Sequence, residues 1–281
     1  MSVITFWNNR GEETGKTLSI AAIATHMAIE HNNKILIIST GHKDATLDRC
    51  FWEEKKIKKN LGLFGPNANS NTAMEDGVVG LETLMKSNRV SPEQITNYTK
   101  IIFKDRLEIL PTFKGEKLEY EELKLNYPDI ISLANNYYDM VFVDLDYDVG
   151  DEIYNQILQK SDLIVASLNQ RLVSINNFMK IREEIPVLNS KKTLILIGRY
   201  DKYSKYTVKN ITRYMNEKNK VSTIPYNTLF FEACEEAKLP DLFLRLRKIN
   251  DEEDRNALFM AEVKRITDNI IYRLQDLAMK M

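Results

Sequence analysis

The sequence predicts a three-layer α/β domain, doubly wound about a mostly parallel sheet, and three observations carry that prediction. Short apolar runs rich in β-formers recur at 3–7, 35–38, 107–110, 140–143, 163–166, 194–197 and 221–224. Several lack polar alternation, the pattern of strands covered on both faces. The segments between them have helical length and spacing, and strand–helix alternation leads to parallel strands joined by right-handed crossovers. The one irregular stretch, 62–80, is rich in Gly, Asn and Ser and reads as a loop. It does not read as a linker, because the strands on either side belong to one sheet. A chain of 281 residues accommodates one large domain or two small ones. The expectation is one domain over 1–281, with a helix over about 251–281 packed on it.

Taken in order, the strand at 3–7 leads into a loop and then a helical segment, 18–29, in which Ile20, Ala21, Ala24, Met27 and Ala28 can share one buried face. A formal net charge of −1 gives no global basic field for DNA or anionic lipid, although a local patch stays open. Cys50 and Cys234 form neither a metal-ligand spacing nor a disulfide framework. The opening MSVITFW has no basic n-region, and no run of about 18 apolar residues occurs, so a cytoplasmic protein is expected.

The loop reads Trp7-Asn8-Asn9-Arg10-Gly11-Glu12-Glu13-Thr14-Gly15-Lys16-Thr17, between the first strand and the first helix. Backbone amides there point at an anion, and the helix dipole adds positive potential. In that context Lys16 reaches β- and γ-phosphates and the Thr17 hydroxyl holds Mg²⁺. The strict P-loop pattern departs at Arg10, where its first glycine belongs, and a chance Gly-Lys-Thr at a helix start is the bland alternative.

Residues 9–17 resemble the variant P-loop of the ParA/MinD ATPases, N-x-K-G-G-V-G-K-T. The family's signature lysine, which crosses to the partner subunit's phosphates, is Gly11 here, and the next two glycines are Glu12 and Glu13. Two carboxylates bring negative charge towards a triphosphate unless their side chains turn outward. Dethiobiotin synthetase, a related P-loop kinase, has a similar loop ending E-V-G-K-T. Arg10 is a candidate substitute for the missing lysine.

Tyr138-Asp139-Met140-Val141-Phe142-Val143-Asp144 resembles the family's Walker B segment, which implies that Asp144 orients Mg²⁺. The alternative is an N-cap, a role that suits Asp148 or Asp151 better, with Asp146 undecided. The family's D-x-D after the second strand is replaced by Ser39 and Gly41, while Asp44 comes three residues late and His42 is a lone loop histidine. Binding is therefore better supported than hydrolysis. Further on, residues 196–201 resemble l-T-m-Y-D, and residues 223–233 resemble v-I-P-r-N-v-r-l-s-E-A. Tyr200, Asp201, Ile224, Pro225, Asn227, Glu232 and Ala233 match those patterns. In the family these loops flank the purine base.

The resemblance covers roughly residues 1–240 and implies a P-loop NTPase fold of the ParA/MinD type. It further implies a site of Gly11, Glu12, Glu13, Thr14, Gly15, Lys16, Thr17 and Leu18 for phosphate, with Arg199, Pro225, Tyr226 and Asn227 at the nucleoside end. Thr17 and Asp144 are the metal residues and Lys16 and Asp144 the catalytic pair. The implied function is an ATP (or ADP) and Mg²⁺ switch that dimerises on nucleotide and recruits an unidentified protein partner, with slow hydrolysis. The alternatives are a non-hydrolysing scaffold and a kinase of the dethiobiotin synthetase type. The weak catalytic motifs suggest the TadZ/CpaE-like localisation proteins. MinD proteins end in an amphipathic membrane helix, and residues 263–281 put Ile266, Ile270, Ile271, Leu274, Leu277 and Ala278 on one face. A last helix packed on the core makes the same pattern and is favoured. DNA contact through Arg245, Arg247 and Lys248 is not favoured either, because Asp251, Glu252, Glu253 and Asp254 follow at once. The lysine run at 55–59 reads as a solvated helix face.

Overall fold

Val3 and Trp7 of the first strand enter one buried cluster, while Ile4 and Phe6 enter a second on the opposite face. That alternation repeats across the sheet and makes two cores. The computed structural model describes residues 1–9, 11–53, 77–86, 90–146, 151–217, 221–249, 251 and 253–280. Its strands are β1 (Ser2–Trp7), β2 (Ile35–Ser39), β3 (Lys100–Phe103), β4 (Leu107–Leu110), β5 (Met140–Asp144), β6 (Leu163–Leu168), β7 (Thr193–Tyr200) and β8 (Ser222–Pro225). They form one sheet in the order β3-β4-β2-β5-β1-β6-β7-β8, parallel throughout except for β3–β4. All seven apolar runs are strands.

The helices are α1 (Lys16–Glu30), α2 (Thr46–Arg49), α3 (Val78–Lys86), α4 (Lys117–Lys124), α5 (Tyr127–Asn135), α6 (Glu152–Lys160), α7 (Leu172–Glu184), α8 (Val208–Tyr214), α9 (Thr228–Glu235), α10 (Leu239–Leu246) and α11 (Arg255–Ala278). Helices α3 to α8 cover the Val3 face, and α1, α2 and α9 to α11 cover the Ile4 face. The result is the three-layer, doubly wound α/β fold. Strand β1 lies between β5 and β6, where the strand order reverses, so the crevice at its carboxyl end is where such sheets bind ligands.

Three features differ from the sequence reading. The antiparallel strand β3 was not expected, because it is short, half-exposed and turned by Asp105 at φ +60° rather than by a glycine. The loop reading of 62–80 falls mostly outside the described residues, and its last three positions begin α3. Burial of α1 is also wider than a stripe, running from Ser19 to Ala28, because α10 and α11 cap its outer side. The apolar face of α11 is turned to that core: Phe259, Val263, Ile266 and Ile270 are buried, and Ile271, Leu274 and Leu277 pack partly buried beside them. Arg247 of the small basic cluster forms a two-pronged pair with Glu30, at 2.8 and 3.3 Å. The lysine run at 55–59 lies outside the described residues. Among the described residues no helix is long and apolar enough to cross a membrane.

His26 is caught in the α1 layer, and its Nδ1 has no hydrogen-bond partner. Burial holds its pKa below the usual histidine value, against the partial compensation of Glu30. The unfolded chain therefore binds the extra proton more readily. Folding stability is expected to be full above about pH 6.5 and to fall as pH drops below it. A pH series of urea unfolding for wild type and His26→Leu checks this, the variant losing that part of the slope.

Candidate functional site

Residues 8–15 join β1 to α1 at the carboxyl ends of the strands. Gly15 holds φ +73°, which L side chains rarely adopt, and it starts α1 with no side-chain cap and no acid in the first turn. The Ser19 amide bonds back to the Gly15 carbonyl at 2.9 Å, so the amides of Lys16, Thr17 and Leu18 have no acceptor within the helix. Two other loop amides are used locally: Glu12 donates to Asn9 O at 3.2 Å and Thr14 to Glu12 O at 2.9 Å.

Register explains what meets this helix start. Phe6 of β1 pairs with Asp144 of β5, which places the acidic strand end beside the loop. The Thr17 hydroxyl donates to Asp144 Oδ2 at 2.8 Å. The Lys16 ammonium lies 2.8 Å from Asp144 Oδ1 and donates to the Leu145 carbonyl. That buried Oδ1 has the ion pair and no hydrogen-bond donor. The sequence motif gives Lys16 to the β- and γ-phosphates, and in the structure its ammonium stands against Asp144, where two buried opposite charges side by side compensate each other.

Both unexpected carboxylates of the loop are turned elsewhere. Glu12 Oε1 accepts from Asn9 at 3.0 Å and from Asn177 of α7 at 3.2 Å, and Ser174 of α7 donates to Oε2. Glu13 reaches out to Arg199, 3.0 Å away, in an exposed pair. Arg10 lies outside the described residues. Thr14 is buried beneath the loop, whereas Gly11 is exposed at φ +78°.

The predicted nucleoside residues Arg199, Pro225, Tyr226 and Asn227 line one cleft together with Gly15, Leu18 and Phe230. The Asn227 side chain is engaged, since its Oδ1 caps α9 through the Phe230 amide at 2.8 Å and its Nδ2 donates to Asn256 at 3.0 Å. Arg199 sits at φ +50° with its Cγ 3.2 Å from where a Gly15 Cβ would be.

Gly198 is a residue that motif reasoning passed over. A Cβ there would collide with the Thr14 carbonyl oxygen, so β7 supports the loop only as long as this position has no side chain. Its signal was a glycine inside an apolar strand run. Gly198→Ala is expected to cost about 1–3 kcal/mol. Urea unfolding measures that, and unchanged stability would show that the loop moves freely away from β7.

The segment after β2 contributes no charge to this cluster. The Thr40 amide and hydroxyl both bond to Asp144 O, at 3.0 and 3.3 Å. The His42 ring stacks on Tyr120 with 4.9 Å between centroids and its Nε2 is 3.0 Å from Gly115 O, so the ring is engaged locally. Asp44 accepts from the Thr46 amide at 3.0 Å, a local turn bond. Asp151 caps α6, as expected, while Asp148 lies outside the described residues. Tyr120 donates to Thr40 O at 2.6 Å, and burial pushes its pKa up to about 12.

The donor set suits a hard cation. A hydroxyl and a carboxylate stand together, and Asp144 Oδ1 has no bonded donor. Among the described residues no group of three or more His, Cys, Asp or Glu could hold a metal. Mg²⁺ fits that arrangement, because it takes one or two protein oxygens and fills its octahedron with water and phosphate.

The fold is that of the ParA/MinD P-loop NTPases. Over 92% of this chain and 96% of its own, a ParA family ATPase from Chlorobium tepidum TLS superposes with a TM-score of 0.66 at 16% identity. The septum site-determining protein MinD from Pyrococcus horikoshii OT3, complexed with Mg-ADP, matches with a TM-score of 0.62 at 14% identity, covering 96% of this chain and 97% of its own. A protein assigned to plasmid partition from Borrelia burgdorferi B31, bound to AMPPNP, matches with a TM-score of 0.60 at 16% identity, covering 99% and 98%. No family model matches the sequence, and no curated protein matches it.

Proposed function

We propose that the chain is a single-domain nucleotide switch that binds ATP (or ADP) with Mg²⁺ and positions or recruits a protein partner. The observation carrying this reading is the meeting of Lys16, Thr17 and Asp144 at the open amino end of α1. Lys16 would hold phosphate charge, and Thr17 and Asp144 would hold the cation. When bound, Mg²⁺ neutralises phosphate charge. The chain's own contribution is to orient the phosphates on the amides of residues 16–18 and to hold the nucleoside in the cleft of Arg199, Pro225 and Tyr226. The Mg-ADP and AMPPNP of two structural neighbours support the choice of ligand. A nucleotide-dependent homodimer belongs to the same reading.

A non-hydrolysing variant of this reading has its own support. Ser39 and Gly41 stand where the resemblance places carboxylates, and Asp44 and His42 are bonded locally. Turnover is therefore slow or absent. Calorimetric titration of the full chain with ATP tests the proposal, once with Mg²⁺ and once with a chelator, alongside sedimentation velocity. Mg²⁺-dependent binding that shifts the chain to a dimer is expected. Failure to bind either nucleotide would refute it, and a requirement for a small organic acceptor would point to the kinase.

A further inference from the structure

Two glutamates in a phosphate loop should repel the ligand that the loop is proposed to hold. The contacts of Glu12 resolve that conflict. Its backbone is fixed by Asn8, whose Nδ2 donates to the Glu12 carbonyl at 3.0 Å, and by the Glu12 amide on Asn9 O. Its carboxylate is then drawn towards α7, where Ser174 donates to one oxygen and Asn177 to the other. Ser174 is buried, at 4% exposure, and Glu12 is half-buried, so the bond sits at the inner side of the loop. A carboxylate that accepts several donors keeps its charge where those donors hold it.

We infer that Ser174 and Asn177 are positioning residues for the phosphate loop. By holding the Glu12 carboxylate on α7 they keep its charge out of the anion's path, so that a loop lacking two glycines still accepts a triphosphate. This rests on the nucleotide reading above. The latch acts on charge, and its loss matters more for ATP than for ADP because the extra phosphate adds charge near the loop. Reciprocally, a bound triphosphate presses Glu12 onto α7, so occupancy of the loop is felt by that helix.

The test measures Mg-ATP and Mg-ADP dissociation constants for the full chain, for Ser174→Ala/Asn177→Ala, and for that variant with Glu12→Gln added. In the double variant the preference for ATP over ADP is expected to fall about tenfold, since a carboxylate left with Asn9 as its one remaining side-chain donor can swing towards the phosphates. Glu12→Gln restores it by removing the charge while keeping the shape. A merely structural role would weaken both nucleotides alike, lower the melting temperature and resist that rescue, and this would overturn the proposal. An unchanged ATP preference in the double variant would overturn it too, with the nucleotide reading intact. Wild-type chain that binds neither nucleotide removes both.

Discussion

Lys16→Ala is expected to abolish nucleotide binding and, in the same stroke, to lower unfolding free energy by roughly 3–5 kcal/mol. The second effect is the less obvious one. Lys16 and Asp144 are both buried, at 8% and 5% exposure, and Lys16 is the only cation paired with Asp144 among the described residues. Removing the ammonium leaves a carboxylate in the sheet's interior with the Thr17 hydroxyl alone. Domain stability is only about 5–15 kcal/mol, so such a loss is visible in any denaturant curve. Adding Asp144→Asn should recover most of the stability, because the uncompensated charge is gone, without recovering binding. This separates the two roles of the pair. If Lys16→Ala unfolds like wild type, the compensating-pair account is wrong.

How much of this was legible beforehand depends on the range of the interaction. The strands were visible because burial on both faces removes polar alternation, and runs such as 163–166 announce that directly. Gly15, Lys16 and Thr17 were visible because one strand–loop–helix unit brings them together. Asp144 was visible through a strand that ends in a carboxylate. The latch on Glu12 was not, since Ser174 and Asn177 lie more than 160 residues away in sequence and carry no motif. The same holds for Gly198 beneath Thr14. The engagement of Lys16 with Asp144 was missed for a different reason: motif reasoning assigns a side chain to its ligand, whereas a buried charge takes the nearest opposite charge. The strand β3 escaped because its exposed Ile101 and an aspartate turn give neither a buried run nor a glycine signal.

The C-terminal helix supplies the other large effect. Phe259 is fully buried, with its ring 4.7 Å from Phe230 and 6.2 Å from Phe243 between centroids. Phe259→Ala should cost about 3–5 kcal/mol, the range for an emptied aromatic core site. Phe230 also lines the cleft and follows the Asn227 cap, so the vacancy loosens α9 where the base is proposed to sit. Nucleotide affinity should therefore fall along with stability, whereas an exposed change on the same helix, Tyr272→Ser, should alter neither. The comparison also decides between the two readings of α11. A helix that served a membrane would keep its apolar side available, and losing Phe259 would then leave the fold nearly intact while vesicle binding changed. With Val263, Ile266 and Ile270 committed to the layer over α1 and β8, the expected order is the reverse. Wild type should not co-sediment with anionic vesicles, and only the destabilised variant should begin to do so, as α11 comes away from the core.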